Sequence, residues 1–376
     1  MHAVIWLAVG GATITGVTYG AVAIVRRWAA QLGVLSIPNA RSSHSHPIPS
    51  GGGLAIVAIS IVAWLALPYL SVGHTHLLST AHVAAFVVPA LLIAAISFID
   101  DLGTVSYRIR LSVHIIAAVL FVTTYTYWSS FSLPLFGTIV LGSFGLIVSV
   151  LWIVGLTNAY NFIDGLDGLA AGQATVAGLG WVLLGTVTGH ALIAILGTIL
   201  AFSSLGFLGH NWQPARIFMG DVGSTFLGFS FAALPLIAAQ YDPRLALAGI
   251  LLVWPAIFDS SFTVLRRLLH RQPIFTGHRE FLFHRLVRAG WSHSAAALLY
   301  IPLPLIGAGL ALSWQYGAHW VHALVLLGII SLCLWLWRFV VRAERRYERE
   351  RHVLRMVAFE SANDEPVEQV LADPAS

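Results

Sequence analysis

Apolar runs close to the length of a membrane span recur near residues 3–25, 51–71, 83–99, 111–128, 133–156, 169–188, 190–209, 222–240, 245–264, 294–313 and 320–340. Each is bounded by charges, Pro/Gly clusters or turn signals. A water-soluble core cannot hide so many runs, whereas a bilayer accepts one helix for every ~20 apolar residues. Composition closes the remaining escape. Of the 376 residues 58% are hydrophobic and only 10% charged, with a mean hydropathy of +0.83, against about 25% charged in soluble domains. The chain therefore reads as an all-α, polytopic transmembrane helix bundle of about eleven spans. The single cysteine, Cys333, lies inside an apolar run, so no disulfide framework is available. Residues 1–340 form the transmembrane domain. Residues 341–376 form a tail that starts as an Arg-rich helix at the membrane surface and frays into an acidic, disordered end.

Orientation follows from the basic residues. The first run carries no basic residue ahead of it and is followed by Arg26 and Arg27, the reverse of a secretory signal, which marks an uncleaved span with its N-terminus outside. All 20 basic residues are Arg. Nineteen fall in 26–50, 100–110, 210–221, 265–293 and the tail from Arg338, all on one side of the alternating spans, and only Arg244 falls on the other. The positive-inside rule makes the Arg-rich side cytoplasmic. Nearly all carboxylates at span ends share that side, so an active site is expected to face the cytoplasm.

Five segments on that side carry the chemistry. Asp100 and Asp101 end an outside-to-inside helix, where the macrodipole already disfavours anions, so they need a partner. Arg108 and Arg110 are one choice, a metal-bound phosphate another. In NAYNFIDGLDGLAAG, Asn158, Asn161, Asp164 and Asp167 recur at steps of three just before an apolar helix and sweep one broad side of a helical turn. A helix cap uses one such residue, not four. In FMGDVGSTFLGF, Asp221 stands at the start of an inside-to-outside helix, where free N–H groups suit phosphate and a carboxylate suits Mg²⁺. Gly51, Gly52 and Gly53 open the second span in HSHPIPSGGGLAI, and three glycines at a helix start imply some close approach. The segment from Arg266 to His293 carries six Arg and four His, with His278 and its neighbour Arg279 singled out, and its guanidinium forks match phosphate oxygens. Asp259, about two turns inside the preceding helix, must be functional or paired.

PIPSGGGLAI, FIDD, NAYNFIDGLDGLA and FMGDVGS, in this order and on this side, resemble the polyprenyl-phosphate N-acetylhexosamine-1-phosphate transferase family over about residues 38–295. The stretch PNARSSHSHPIP is most similar to the O-antigen-initiating branch. The resemblance implies an eleven-helix bundle in the bacterial cytoplasmic membrane, with a cytoplasmic cleft that uses Mg²⁺ or Mn²⁺. It also implies a UDP-N-acetylhexosamine donor and undecaprenyl phosphate as acceptor within the lipid bilayer. It makes Asn161 and Asp221 the metal ligands, gives Asp100 and Asp101 the acceptor phosphate, gives Asp164 and Asp167 the nucleotide, and puts Phe218 where the family stacks uracil. Where the family commonly carries Arg or Lys before the glycines this chain has Ser50, which transfers phosphate anchoring to Arg41 or elsewhere. The sequence leaves open which sugar is moved, whether Asp100 or Asp101 acts as base or as covalent nucleophile, and whether the chain works as a homodimer. No nucleic-acid partner is expected.

Two rivals are weaker. CDP-alcohol phosphotransferases also open an Asp array with D-x₂-D-G, as at Asp164, but Gly172 replaces the required Arg and the later acid pair is missing. An ion-coupled transporter concentrates polar groups near mid-bilayer, whereas these collect at one rim.

Overall fold

The computed structural model describes residues 2–36, 46–72, 75–273 and 279–363. The bundle is built from α1 (His2–Leu32), α2 (Gly53–Ala66), α3 (Thr80–Leu102), α4 (Tyr107–Thr124), α5 (Phe144–Ile163), α6 (Leu169–Val187) and α7 (Ala191–Asn211). It continues with α8 (Asp221–Ala239), α9 (Arg244–Leu252), α10 (Trp254–Leu269), α11 (Leu282–Arg288), α12 (His293–Tyr300), α13 (Leu303–Tyr316) and α14 (His319–Asn363). Three antiparallel ribbons decorate the ends: β1 (Leu35–Ser36) with β2 (Ile48–Pro49), β3 (Ser71–Val72) with β4 (Thr75–His76), and β5 (Ser130–Leu133) with β6 (Gly137–Val140). The all-α polytopic reading therefore stands. Among the described residues nine helices are long and apolar enough to span, ten when the bent pair α9–α10 counts as one. The expected second span is the shorter apolar stretch Gly53–Tyr69.

Helix α8 is the axis of the bundle. Every residue from Val222 to Ala238 is buried, against α2, α3, α5, α7 and α9. Helices α1 and α14 lie at the periphery and turn Trp6, Trp28, Trp320 and Leu327 outward, as lipid-facing surface requires. Without a hydrophobic force between helices in lipid, close backbone approach supplies the packing. A Cβ at Gly185 would lie 2.3 Å from Ala194 N, and one at Gly178 would lie 2.6 Å from Ala201 N, so α6 and α7 meet backbone to backbone.

Three boundaries differ from the sequence reading. The run 133–156 is not one helix. Residues 130–140 form the β5–β6 hairpin, with Pro134 and Gly137 at its turn, and α5 begins only at Phe144 and runs on to Ile163. The run 245–264 breaks at Val253 into α9 and α10, bent by 74°, because Pro255 in the first turn of α10 has no N–H to continue the α9 ladder. By contrast α12 and α13, on either side of Ile301 and Pro302, together make one candidate span, His293–Tyr316, as expected for 294–313. Helix α14 passes residue 340 without a break and carries the tail to Asn363.

Candidate active site

At one end of the bundle, Ser36, His46–Ser50, Asp101, the 164–167 turn, residues from Asn211 to Asp221 and His293 enclose a cavity of about 720 Å³. Three segments far apart in the sequence meet there. Asp101, in the last turn of α3, accepts hydrogen bonds from the backbone N–H groups of Asp221 at 2.8 Å and Val222 at 3.0 Å. It thus caps α8 from another helix and satisfies two donors that would otherwise be orphaned. Gly220 makes this possible. Its φ is +77°, and a Cβ there would stand 2.5 Å from Asp101 Oδ2. Asp221 is left with its carboxylate on the cavity wall.

Arg110 on α4 ties the cluster together. One nitrogen, Nη1, donates to both Asp100 Oδ2 and Asp221 Oδ2, while Val105 N donates to the other oxygen of Asp100 at 2.7 Å. Of the two partners expected for the Asp100–Asp101 pair, Arg110 is engaged and Arg108 instead lies exposed over the Tyr107 ring.

The four residues at steps of three do not precede a helix together, because α5 extends to Ile163. Asn158 and Asn161 occupy its last turns, Asp164 caps its C-terminus, and Asp167 lies in the turn before α6. Asn158 bonds Val154 O at 2.7 Å and meets His114 Nδ1, away from the cavity lining. Asn161 Oδ1 accepts from Ser224 Oγ on α8 at 2.7 Å. Asp167 accepts from Ala215 N at 3.1 Å, and the buried Asn211 accepts from Gly168 N and donates to Ile217 O, so the 164–168 turn is stitched to the 212–220 loop. Asp164 and Asp167 both line the cavity. Burial first, and then repulsion from Asp221, Asp101 and Asp167, push Asp164 up to about 8.

The glycine triplet makes the expected close approach, and its partner is protein. Gly53 N donates to Met219 O and Gly52 N to Phe218 O, and a Cβ at Gly53 would lie 2.3 Å from Gly223 Cα. Gly51, Gly52 and Gly53 are buried behind the wall, while Ser50 and Phe218 line it. Phe218 N in turn donates to Pro49 O.

Asp259 is completely buried and fully partnered. It accepts from Leu282 N at 2.7 Å, Phe283 N at 3.3 Å, Tyr300 Oη at 3.0 Å and Thr263 Oγ1 at 3.3 Å. The carboxylate caps α11 and fixes the segment leading to His293. Arg285 of α11 then forks onto Glu344 of α14. Arg279 is close enough to His293 to interact with it electrostatically, but it is not among the residues that line the cavity. His278 and Arg41 lie outside the described residues. Gln213 and Asn211 line the cavity without having been singled out from the sequence. Uncharged amides in a loop carry no periodicity or charge signal.

Chemically, this is a wall of hard oxygen donors with one clasping guanidinium. Among the described residues no three His, Cys, Asp or Glu side chains form a ready metal cage. Carboxylates that repel one another around open space fit an ion that completes its shell with water and substrate phosphate, as Mg²⁺ and Mn²⁺ do.

The family described as glycosyl transferase family 4 matches residues 83–239. A probable undecaprenyl-phosphate N-acetylglucosaminyl 1-phosphate transferase of Bacillus subtilis is 34% identical over 310 residues, 82% of this chain and 84% of the relative. A decaprenyl-phosphate N-acetylglucosaminephosphotransferase of Mycolicibacterium smegmatis is 34% identical over 335 residues, 81% of each chain. The undecaprenyl-phosphate alpha-N-acetylglucosaminyl 1-phosphate transferase of Escherichia coli K12 is 28% identical over 349 residues, covering 87% and 91%.

Proposed function

We propose a reaction from one premise: this chain belongs to the polyprenyl-phosphate N-acetylglucosamine-1-phosphate transferases of glycosyl transferase family 4. It is a multi-pass membrane enzyme that transfers N-acetylhexosamine 1-phosphate, with N-acetylglucosamine the first choice of sugar, from a UDP-sugar to undecaprenyl or another polyprenyl phosphate. A phosphate oxygen of the lipid bonds to the β-phosphorus of the donor, the bond to the UMP oxygen breaks, and the products are polyprenyl diphosphate-sugar and UMP. The step initiates a cell-envelope polysaccharide, O-antigen being one such polymer, at the cytoplasmic side of the inner membrane.

One observation carries this reading: Asp101, Asp164, Asp167 and Asp221 share one cavity with Phe218 at the Arg-rich end of the bundle. The relatives' names supply the substrates. Polar groups gathered at a rim argue against ion-coupled transport, and the four hydrogen bonds to Asp259 give that buried acid a structural role.

Asp221 and Asn161 would hold Mg²⁺ or Mn²⁺, with Asp164 beside them. The ion supplies charge neutralisation on the diphosphate. The chain's own groups set the geometry. Asp101 fixes the start of α8 and so aims Asp221. Arg110 holds Asp100 and Asp221 at a set separation. Phe218 offers a face for the uracil, and Arg279, near His293, adds positive charge on that side. The side-chain oxygens of Asp100 and Asp101 are engaged by Val105 N, Arg110, Asp221 N and Val222 N, which supports positioning roles over a covalent one.

The test is incubation of the purified protein in detergent with radiolabelled UDP-N-acetylglucosamine and undecaprenyl phosphate. Label entering the butanol phase only when Mg²⁺ is present supports the reading. Absence of label with every UDP-N-acetylhexosamine tried defeats it.

A further inference from the structure

The loop that carries Phe218 also carries Gln213, whose amide lines the cavity beside Pro214 and Ala215. Its orientation is fixed by chemistry. The backbone N–H of Ser294, at 2.6 Å, can only donate, so the atom it meets is Oε1, and the hydroxyl of Ser294 bonds to that same atom. The usual ambiguity between the two ends of a glutamine amide is thereby removed. Oε1 is occupied twice, and among the described residues Nε2 has no partner. Ser294 sits in the first turn of α12, beside His293 on the cavity wall. The burial of Asp259 beneath α11 and Tyr300 holds this segment still. The result is a rigid, neutral N–H donor presented to a cavity whose four carboxylates, Asp101, Asp164, Asp167 and Asp221, share the wall with Ser36, His46, Ser50, Asn211 and His293. A carboxylate repels phosphate and only accepts hydrogen bonds. The Gln213 amide can do what they cannot, which is donate to a neutral carbonyl oxygen.

We propose that Gln213, clamped by Ser294, is a specificity-determining residue that donates from Nε2 to a carbonyl oxygen of the nucleotide-sugar. This rests on the transferase reading above. Two carbonyl sources exist on such a donor: the pyrimidine ring and the acetamido group of the sugar. Both present an sp² oxygen that one fixed N–H can read, and a hydroxyl at the same place is the poorer acceptor.

The experiment compares wild type with Gln213→Glu and Gln213→Leu. Glutamate keeps an oxygen for Ser294 but replaces the donor with a charge, whereas leucine removes the donor without adding a charge. A loss common to both variants therefore marks the missing N–H, and the melting temperature of Gln213→Glu reports on the loop. Wild-type transfer from UDP-N-acetylglucosamine establishes the reading on which the inference rests. Given that activity, both variants are expected to raise KM for UDP-N-acetylglucosamine about tenfold, the usual effect of losing one hydrogen bond. The KM for undecaprenyl phosphate and the melting temperature of Gln213→Glu should stay within error. UMP inhibition then identifies the carbonyl. A parallel rise in the UMP inhibition constant assigns it to the base. An unchanged constant, with reduced discrimination between UDP-N-acetylglucosamine and UDP-glucose, assigns it to the acetamido group. A donor KM within twofold of wild type in both variants overturns the proposal. So does an equal loss for donor and acceptor, which marks a purely structural residue.

Discussion

The two ends of the bundle handle the same kinds of groups in opposite ways. At the end with a single Arg, Asp242 takes the Arg244 guanidinium at 2.9 Å, the Arg244 N–H at 2.9 Å and the Gln315 amide at 2.6 Å. Arg244 returns a bond to Gln315 O, and Trp314 donates to Arg244 O. Burial opposes ionisation of Asp242, but these donors outweigh it and hold the carboxyl below the usual carboxylate range. Both charges of the network are paired within the protein. At the other end Asp100 and Asp221 share one nitrogen of one Arg, and Asp164 is pushed up to about 8 by burial and its neighbours. That network stays open toward a cavity. Charges satisfied within a turn of chain hold a fold together, whereas charges gathered from three distant segments and left under-compensated await a ligand.

Changes at the open end should be far more costly to activity than to stability. The largest effect is expected for Asp221→Ala, which should lower Mg²⁺-dependent label transfer by at least about a thousandfold while the protein still elutes as a monodisperse peak. Full activity would remove Asp221 from the site. Next, Arg110→Met should cost roughly a hundredfold in kcat, because Asp100 and Asp221 then repel without a clasp. Steady-state rates at saturating donor read this directly. Asp259→Ala leaves two backbone N–H groups and the Tyr300 hydroxyl buried without a partner, at about 1–3 kcal/mol each. It should lower the melting temperature and open the 279–292 segment to limited proteolysis.

Linkage gives a subtler prediction. Asp164 binds its proton more tightly folded than unfolded, so its contribution without a divalent ion is fully present below the ordinary carboxylate range and declines as pH rises toward 8. Mg²⁺ favours the charged form. Its stabilisation, read by thermal shift, should therefore be larger at pH 8.5 than at pH 6, and an equal or reversed dependence would detach Asp164 from the ion. The smallest effect belongs to the closed end. Arg244→Ala should keep transfer within about twofold and cost about 1 kcal/mol or less in stability, and a large loss of activity there would erase the contrast between the two ends.

Much of this was legible in the sequence because membrane folding leaves few alternatives. The apolar runs mark most of the helices, and the one-sided Arg distribution by itself groups the acidic motifs. What stayed hidden depends on contacts across the chain. The triple glycine announced a close approach but not that its partner is the Phe218–Gly223 backbone. Asp101 read as an acid needing a cation, yet its donors are the N–H groups of a helix about 120 residues later. Residues 130–140 are apolar enough to pass for membrane helix, and only Pro134 and Gly137 hinted at the hairpin. Gln213 carried no signal, since its meaning comes from Ser294 holding one end of its amide.

The central claim is that three acid-bearing segments meet on one side of the membrane. It can be tested by placing a single cysteine, in a Cys333→Ser background, at Asp101→Cys, Asp164→Cys or Asp221→Cys, and labelling sealed vesicles of both orientations with a membrane-impermeant maleimide. All three positions should label only from the cytoplasmic face. Labelling of any one of them from the opposite face would contradict the account.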